Sequence, residues 1–124
     1  MNSHAAAARC LYGGQKNVVD EVLKDMQQSG INDKLKALLH IAGKVQVLGK
    51  EVTPGDIDAA RQLGANDREI HDTVLIAATF CMFNRYVDGL NTTAPTDMAS
   101  YPLRAKQVAE KGYGNHIYTQ KQPA

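Results

Sequence analysis

The chain has 124 residues, enough for one domain with a buried core, and its 14 basic and 13 acidic residues leave a net charge of +1. This balance, with scattered basic residues and no tryptophan, gives no case for nucleic acid or an anionic membrane as a partner. Only two cysteines occur and no export signal is visible at the start, so we expect free thiols and a cytoplasmic protein.

Helical periodicity runs through most of the chain, and no stretch alternates polar and apolar residues as a strand does. A first helix is predicted over residues 4–11 and is ended by two glycines. A second opens at Asn17, a good N-cap, and ends near Gly30. A third covers residues 33–48, with apolar residues at spacings of three and four.

Two capping patterns follow. TPGD at residues 53–56 predicts a fourth helix that ends at Gly64, and NDRE at residues 66–69 predicts the longest helix, which runs to Asp88. Residues 74–83 place apolar side chains on every side of that helix. This pattern is typical of a helix that is buried in a domain centre or in an oligomer interface. Residues 91–102 are predicted as a loop and 103–111 as a short helix. We expect one domain over residues 1–113 and an irregular tail over 114–124.

The chain contains a candidate internal repeat. AARCL at residues 7–11, followed by Asp20 and Val22, matches AARQL at residues 59–63, followed by Asp72 and Val74. Two amphipathic segments can share such identities by chance, but the constant offset of 52 residues favours a duplicated helix-turn-helix unit. One such unit cannot bury its apolar face alone, so the two copies are predicted to pack together.

Residues 44–90, and most closely residues 51–90, resemble the C-terminal half of peroxidase-related proteins in the carboxymuconolactone decarboxylase / alkyl hydroperoxidase D-like superfamily. The likeness is carried by the Thr-Pro helix start, the Ala-Ala-Arg-x-Leu-Gly turn and the helix ending Asn84-Arg85-x-x-Asp88-Gly89. Residues 101–113 resemble the tail of those proteins. The resemblance implies an all-α, alkyl hydroperoxidase D-like bundle of five or six helices with a duplicated helix pair, and an antioxidant peroxidase activity.

The catalytic motif of that family is Cys-x-x-Cys, with a histidine four residues after the second cysteine. SHAAAAR at residues 3–9 matches the part from the histidine onward, so the resemblance makes His4 the proton relay. The second cysteine would fall immediately before Met1, and no Cys-x-x-Cys is present. We therefore expect this form to be inactive or incomplete, because either the natural protein begins further upstream or the chemistry has been lost. The competing interpretation of His4 is a solvated residue near a chain end.

Two cysteines are candidates for replacing the missing pair. Cys10 could be catalytic, but six residues on a helix turn it about 240° from His4, and a buried or half-buried inert residue is the alternative. Cys81, with Asn84 and Arg85 one turn on, could line a substrate pocket, because a nearby guanidinium lowers the pKa of a thiol. The alternative for Cys81 is inert core beside an Arg85–Asp88 ion pair.

The histidines and cysteines show no metal-ligand spacing, and no phosphate-binding loop occurs, so neither a metal nor another cofactor is expected. The leading function is reduction of a small peroxide. A lyase acting on a small lactone acid and a non-catalytic helical oligomer are the alternatives. A monomer would expose an unusually large apolar patch, which predicts a homo-oligomer with the fifth helix or the 35–45 face at its interface.

Overall fold

The computed structural model describes residues 2–15, 17–93 and 96–112. Over these ranges the chain forms six α-helices with no strand, which confirms the predicted all-α class and helix number. In chain order the helices are α1 (Asn2–Tyr12), α2 (Asn17–Lys24), α3 (Asp33–Val47), α4 (Pro54–Gln62), α5 (Asp67–Gly89) and α6 (Ser100–Lys111). None of the helices described is both long and apolar enough to cross a lipid bilayer.

The chain divides into two compact units. The first contains α1, α2 and α6, and within it α1 packs on α6 and on α2. Arg9 ties α1 to α2 by donating from Nε to Oδ1 of Asp20 at 3.0 Å, and Ala105 of α6 is buried. The single domain predicted over residues 1–113 stays a prediction, and the predicted tail, residues 114–124, lies outside the described residues.

The second unit contains α3, α4 and α5, and its core lies where α3 meets the other two helices. Ile41 of α3 is completely buried there. The other buried members of this cluster come from all three helices and from the turn between α4 and α5: Leu38, Ala60, Ala65 and Ile70. Alanine at two of these positions gives α4 and the turn a small surface, which suits close packing on α3.

Both predicted capping patterns are confirmed. At the start of α4 the backbone N–H of Asp56 donates to Oγ1 of Thr53, and Oδ2 of Asp56 accepts from the backbone N–H of Thr53. At the start of α5 the corresponding distances between Asn66 and Glu69 are 2.8 and 2.9 Å. The turn between the two helices passes through Gly64, whose φ of +91° is a conformation that other residues rarely adopt.

The cap of α5 gives the first testable prediction. Asn66→Ala should lower the free energy of unfolding by about 1 kcal/mol, because the backbone N–H of Glu69 loses its acceptor. Asn66→Ser should cost much less, since serine caps helices about as well as asparagine and adds no charge. Urea unfolding followed by circular dichroism measures both, and equal stability of the two variants would contradict the role given to the cap.

The two copies of the predicted repeat are both helix-turn-helix pairs, α1 with α2 and α4 with α5. Their matching charges nevertheless pair differently. Arg9 binds Asp20 in the first copy, whereas Nη2 of Arg61 donates to Oδ1 of Asp67 at 2.9 Å in the second. Asp72, the counterpart of Asp20, lies 3.6 Å from Arg68 on its own helix. Packing of the two copies against each other stays a prediction.

Helix α6 begins three residues earlier than predicted. Its start is held by Asp97, whose Oδ1 accepts from the backbone N–H of Ala99 and whose carbonyl oxygen accepts from the hydroxyl of Ser100. The predicted loop, residues 91–102, extends through Pro102, which is the third residue of α6. Proline is compatible with the first turn of a helix, however, because the N–H it lacks has no partner there in any case.

Two contacts fix how α5 lies along α3. Nζ of Lys34 donates to Oε1 of Glu69 at 2.7 Å near the start of both helices. Sγ of Cys81 lies 4.0 Å from the carbonyl oxygen of Gln46 near the end of α3. Both contacts join residues 35 positions apart, so α3 and α5 run in the same direction with a constant register.

The last part of α5 therefore extends beyond the helix that covers it. Helix α3 ends at Val47, level with residue 82 in this register, whereas α5 continues to Gly89, about 10 Å further along its axis. We call residues 82–89 the overhang of α5, and every residue in it is exposed. The expectation that α5 is buried at the domain centre is wrong, because α3 is too short to cover it.

The first half of α5 is covered on one side only. Ile70 is its one buried residue among those described, and Val74 packs against the same core. Ile76 and Phe80, which we expected to be buried, are exposed in the single chain. The other environment that the apolar sequence of α5 predicted, an oligomer interface, stays a prediction.

Candidate functional site

The two predicted catalytic residues, His4 and Cys10, both lie on α1, and both are exposed. Six residues of helix rotate the second side chain by about 240°, so the two side chains point about 120° apart. Cys10 is therefore not the buried or half-buried residue that was the alternative. Partial burial and the positive charge of the amino terminus lower the pKa of His4, which favours the neutral imidazole at pH 7. Helix α1 thus offers a proton acceptor but does not direct a thiol toward it.

The three predicted pocket residues, Cys81, Asn84 and Arg85, lie on α5 where the overhang begins. Cys81 is partly buried beside the carbonyl oxygen of Gln46, and Asn84 and Arg85 are exposed. Arg85 and Asp88, both among the described residues, do not form an ion pair, so the pair that belonged to the alternative for Cys81 is absent. Two exposed charges gain little by pairing, because water screens them. These side chains line an exposed helix surface.

A polar network around Asp56 was missed by the sequence analysis. Nζ of Lys44 donates to both carboxylate oxygens of Asp56, at 2.9 and 2.7 Å. The backbone N–H and the hydroxyl of Thr53 donate to Oδ2 at 2.7 and 2.8 Å, and Nε2 of His40 lies 3.3 Å from Oδ1. The capping pattern predicted the Thr53 contacts, but Lys44 and His40 reach Asp56 only because α4 packs on α3.

This network has a structural role rather than a catalytic one. The hydrogen bond from Lys44 holds the pKa of Asp56 well below its ordinary range, and the bonds from Thr53 act in the same direction. The pKa of Glu69 is lowered likewise, first by Lys34 and then by the backbone N–H of Asn66. Carboxylates stabilised in this way are weak proton acceptors. In the described part of the chain no cluster of three or more His, Cys, Asp or Glu side chains could hold a metal ion.

Helix α5 carries an exposed apolar surface. Six large side chains on α5 and its C-cap are between 52% and 66% exposed: Leu75, Ile76, Met82, Phe83, Tyr86 and Leu90. They lie within about 120° of the helix circumference, opposite the side that packs on α3. We call these six residues the apolar face of α5. The capping patterns located α5, but its exposed side depends on which side of the helix packs on α3.

The middle of the apolar face contains one polar residue, Thr79. Its Oγ1 donates to the carbonyl oxygen of Leu75 at 2.7 Å, so the hydroxyl is already hydrogen-bonded within the helix. An apolar partner could therefore cover this part of the face without leaving a hydroxyl unsatisfied.

Comparison of the chain with protein-family models, with curated proteins and with solved structures gives no match in any of the three.

Proposed function

We propose that the protein is a helical relative of the alkyl hydroperoxidase D-like thiol peroxidases, in which α1 supplies the proton relay. The observation that supports this most directly is the place of His4. It stands at the start of α1 within SHAAAAR, the part of the family's motif that begins at the histidine. Its lowered pKa suits a group that accepts a proton from a thiol near neutral pH.

Peroxide reduction of this kind needs two thiols. A thiolate attacks the O–O bond, becomes a sulfenic acid and releases an alcohol or water. The second thiol then attacks the sulfenic sulfur, which forms a disulfide and releases water. Neither cysteine here is placed for the first step. Cys10 is turned away from His4 on α1, and Cys81 lies beside the carbonyl oxygen of Gln46, which accepts a hydrogen bond only from the protonated thiol.

The proposal predicts that the chain gains activity when the missing thiols are supplied. We expect no appreciable peroxide reduction by the chain itself with a dithiol reductant, because it holds no Cys-x-x-Cys. Addition of Cys-Ala-Ala-Cys directly before Met1 places the second cysteine four residues before His4. That form should reduce an alkyl hydroperoxide catalytically, and His4→Gln should lower its rate about 100-fold or more.

The control is the same extension with serines, Ser-Ala-Ala-Ser, assayed at equal concentration. Equal activity of the two extended forms, or no effect of His4→Gln, would refute the role proposed for α1. Turnover by the unextended chain that disappears on Cys10→Ser or Cys81→Ser would show that one of its own thiols is the nucleophile.

A non-catalytic helical oligomer is the second candidate, and the apolar face of α5 is the observation that favours it. Inactivity of both extended forms, together with stable self-association, would support this candidate over the peroxidase. Conversion of a small lactone acid by the unextended chain would instead favour the lyase alternative.

A further inference from the structure

We infer that the apolar face of α5 is the docking surface for a second copy of this chain. This inference is independent of the proposed peroxidase chemistry, since it concerns neither His4 nor any thiol. It starts from the exposure of the six side chains of that face and from the overhang, which α3 does not cover.

The apolar face of α5 exposes enough area for a specific interface between two copies. A large side chain presents on the order of 150–200 Å² when fully exposed, so six that are slightly more than half exposed present roughly 600 Å². Such a patch is at the upper end of what single soluble chains carry. When two copies meet, the surface buried is roughly 1,200 Å² in total, which reaches the range of stable, specific interfaces.

The spacing of side chains along the apolar face of α5 suits packing against another helix. Leu75, Thr79, Met82 and Tyr86 follow each other at intervals of four, three and four residues, and Phe83 flanks them. This is the spacing by which one helix inserts its side chains between those of another helix. An identical face has the same spacing, so two copies can pack symmetrically and each covers the other.

The charges of the chain do not oppose association of two copies. The chain has a net charge of only +1, so two copies approach without appreciable repulsion. The charged residues at the start of α5 lie outside the apolar stretch, and Arg68 and Asp72 already face each other at 3.6 Å on the same helix. No unpaired charge from these two residues therefore has to be buried when the apolar face is covered.

Self-association is measured by analytical ultracentrifugation at micromolar concentration. The wild-type chain should sediment with at least twice the 13.5 kDa mass of one chain. Phe83→Glu places a charge on the face and should weaken association about tenfold or more. The matched control is Leu103→Glu, which puts the same charge at an exposed apolar residue of α6 and should leave association unchanged. Circular dichroism checks that each variant is folded.

Two methionines give a test that needs no substitution. Met82 lies on the apolar face and is 58% exposed, and Met98 lies outside α5 and is 63% exposed. In the assembled protein chloramine-T should oxidise Met82 severalfold more slowly than in dilute solution, whereas Met98 should react equally in both. A wild-type mass of one chain, or equal oxidation of the two methionines in the concentrated protein, would overturn the inference. Neither readout depends on peroxide reduction, so the two proposals can fail separately.

Discussion

Ile41→Ala should destabilise the second unit by about 3 kcal/mol, the largest loss of stability that we expect from a single substitution. Ile41 is 0% exposed, and among the described residues it is the one large side chain that is fully buried. Its neighbours in the core include Ala60 and Ala65, whose side chains are too short to fill the space that a lost isoleucine leaves. The substitution therefore removes apolar burial and also creates a cavity.

Chemical unfolding followed by circular dichroism measures this loss. Ile41→Val removes a single methylene and should cost only about 1 kcal/mol. The matched control on the same helix is Val47→Ala, which truncates an exposed side chain and should change stability by about 0.5 kcal/mol or less. Domains are stable by only about 5–15 kcal/mol, so the loss at Ile41 is a large share of the total. If Ile41→Ala and Val47→Ala are equally stable, the core lies elsewhere.

The helix starts were predictable because the residues that determine each start lie within a few positions of one another in sequence. TPGD and NDRE each contain the cap, the residue three positions on and the first helical turn, and both form the expected reciprocal hydrogen bonds. The start of α6 was missed although Asp97 lies only three residues before it. The local signal is weaker there, because Ala99 at the N-cap position has no side-chain hydrogen bond to the start of the helix.

The exposure of the apolar side chains of α5 could not be predicted in the same way. The apolar run of α5 indicates burial, but what covers it depends on where α3 ends and on the register between the two helices. That register is set by contacts 35 positions apart in sequence, such as Lys34 with Glu69. Lys44 and Asp56 are likewise joined by packing of α3 on α4, which no local pattern reveals. The candidate thiols show the same limit, since the helices that carry Cys10 and Cys81 were predictable from nearby residues but the exposure of Cys10 was not.

Acid should destabilise the second unit through Asp56. Lys44 in the first place, and Thr53 in addition, hold the pKa of Asp56 in the folded chain below its ordinary value of 3.8. A carboxylate whose pKa is lower in the folded state contributes stability that is fully present above its unfolded pKa. That contribution is lost as the pH falls through the folded pKa. Glu69 acts in the same direction, because Lys34 lowers its pKa. Stability should therefore decline below about pH 4.

Asp56→Asn tests this assignment directly. The amide keeps the size of the side chain but cannot pair as an anion with Lys44, so the variant should melt at a lower temperature at pH 7. Its stability should also vary less than that of the wild type between about pH 2 and 5. Thr53→Ala should cost about 1 kcal/mol at neutral pH and keep most of the acid dependence, because the Lys44 ion pair remains. The control is Asp58→Asn on the same helix: this carboxylate is exposed and lies 3.8 Å from Arg61, and since such surface pairs contribute little, the variant should melt at nearly the wild-type temperature at pH 7. An Asp56→Asn variant with the wild-type pH profile would show that the Lys44 ion pair contributes nothing to the contact between α3 and α4.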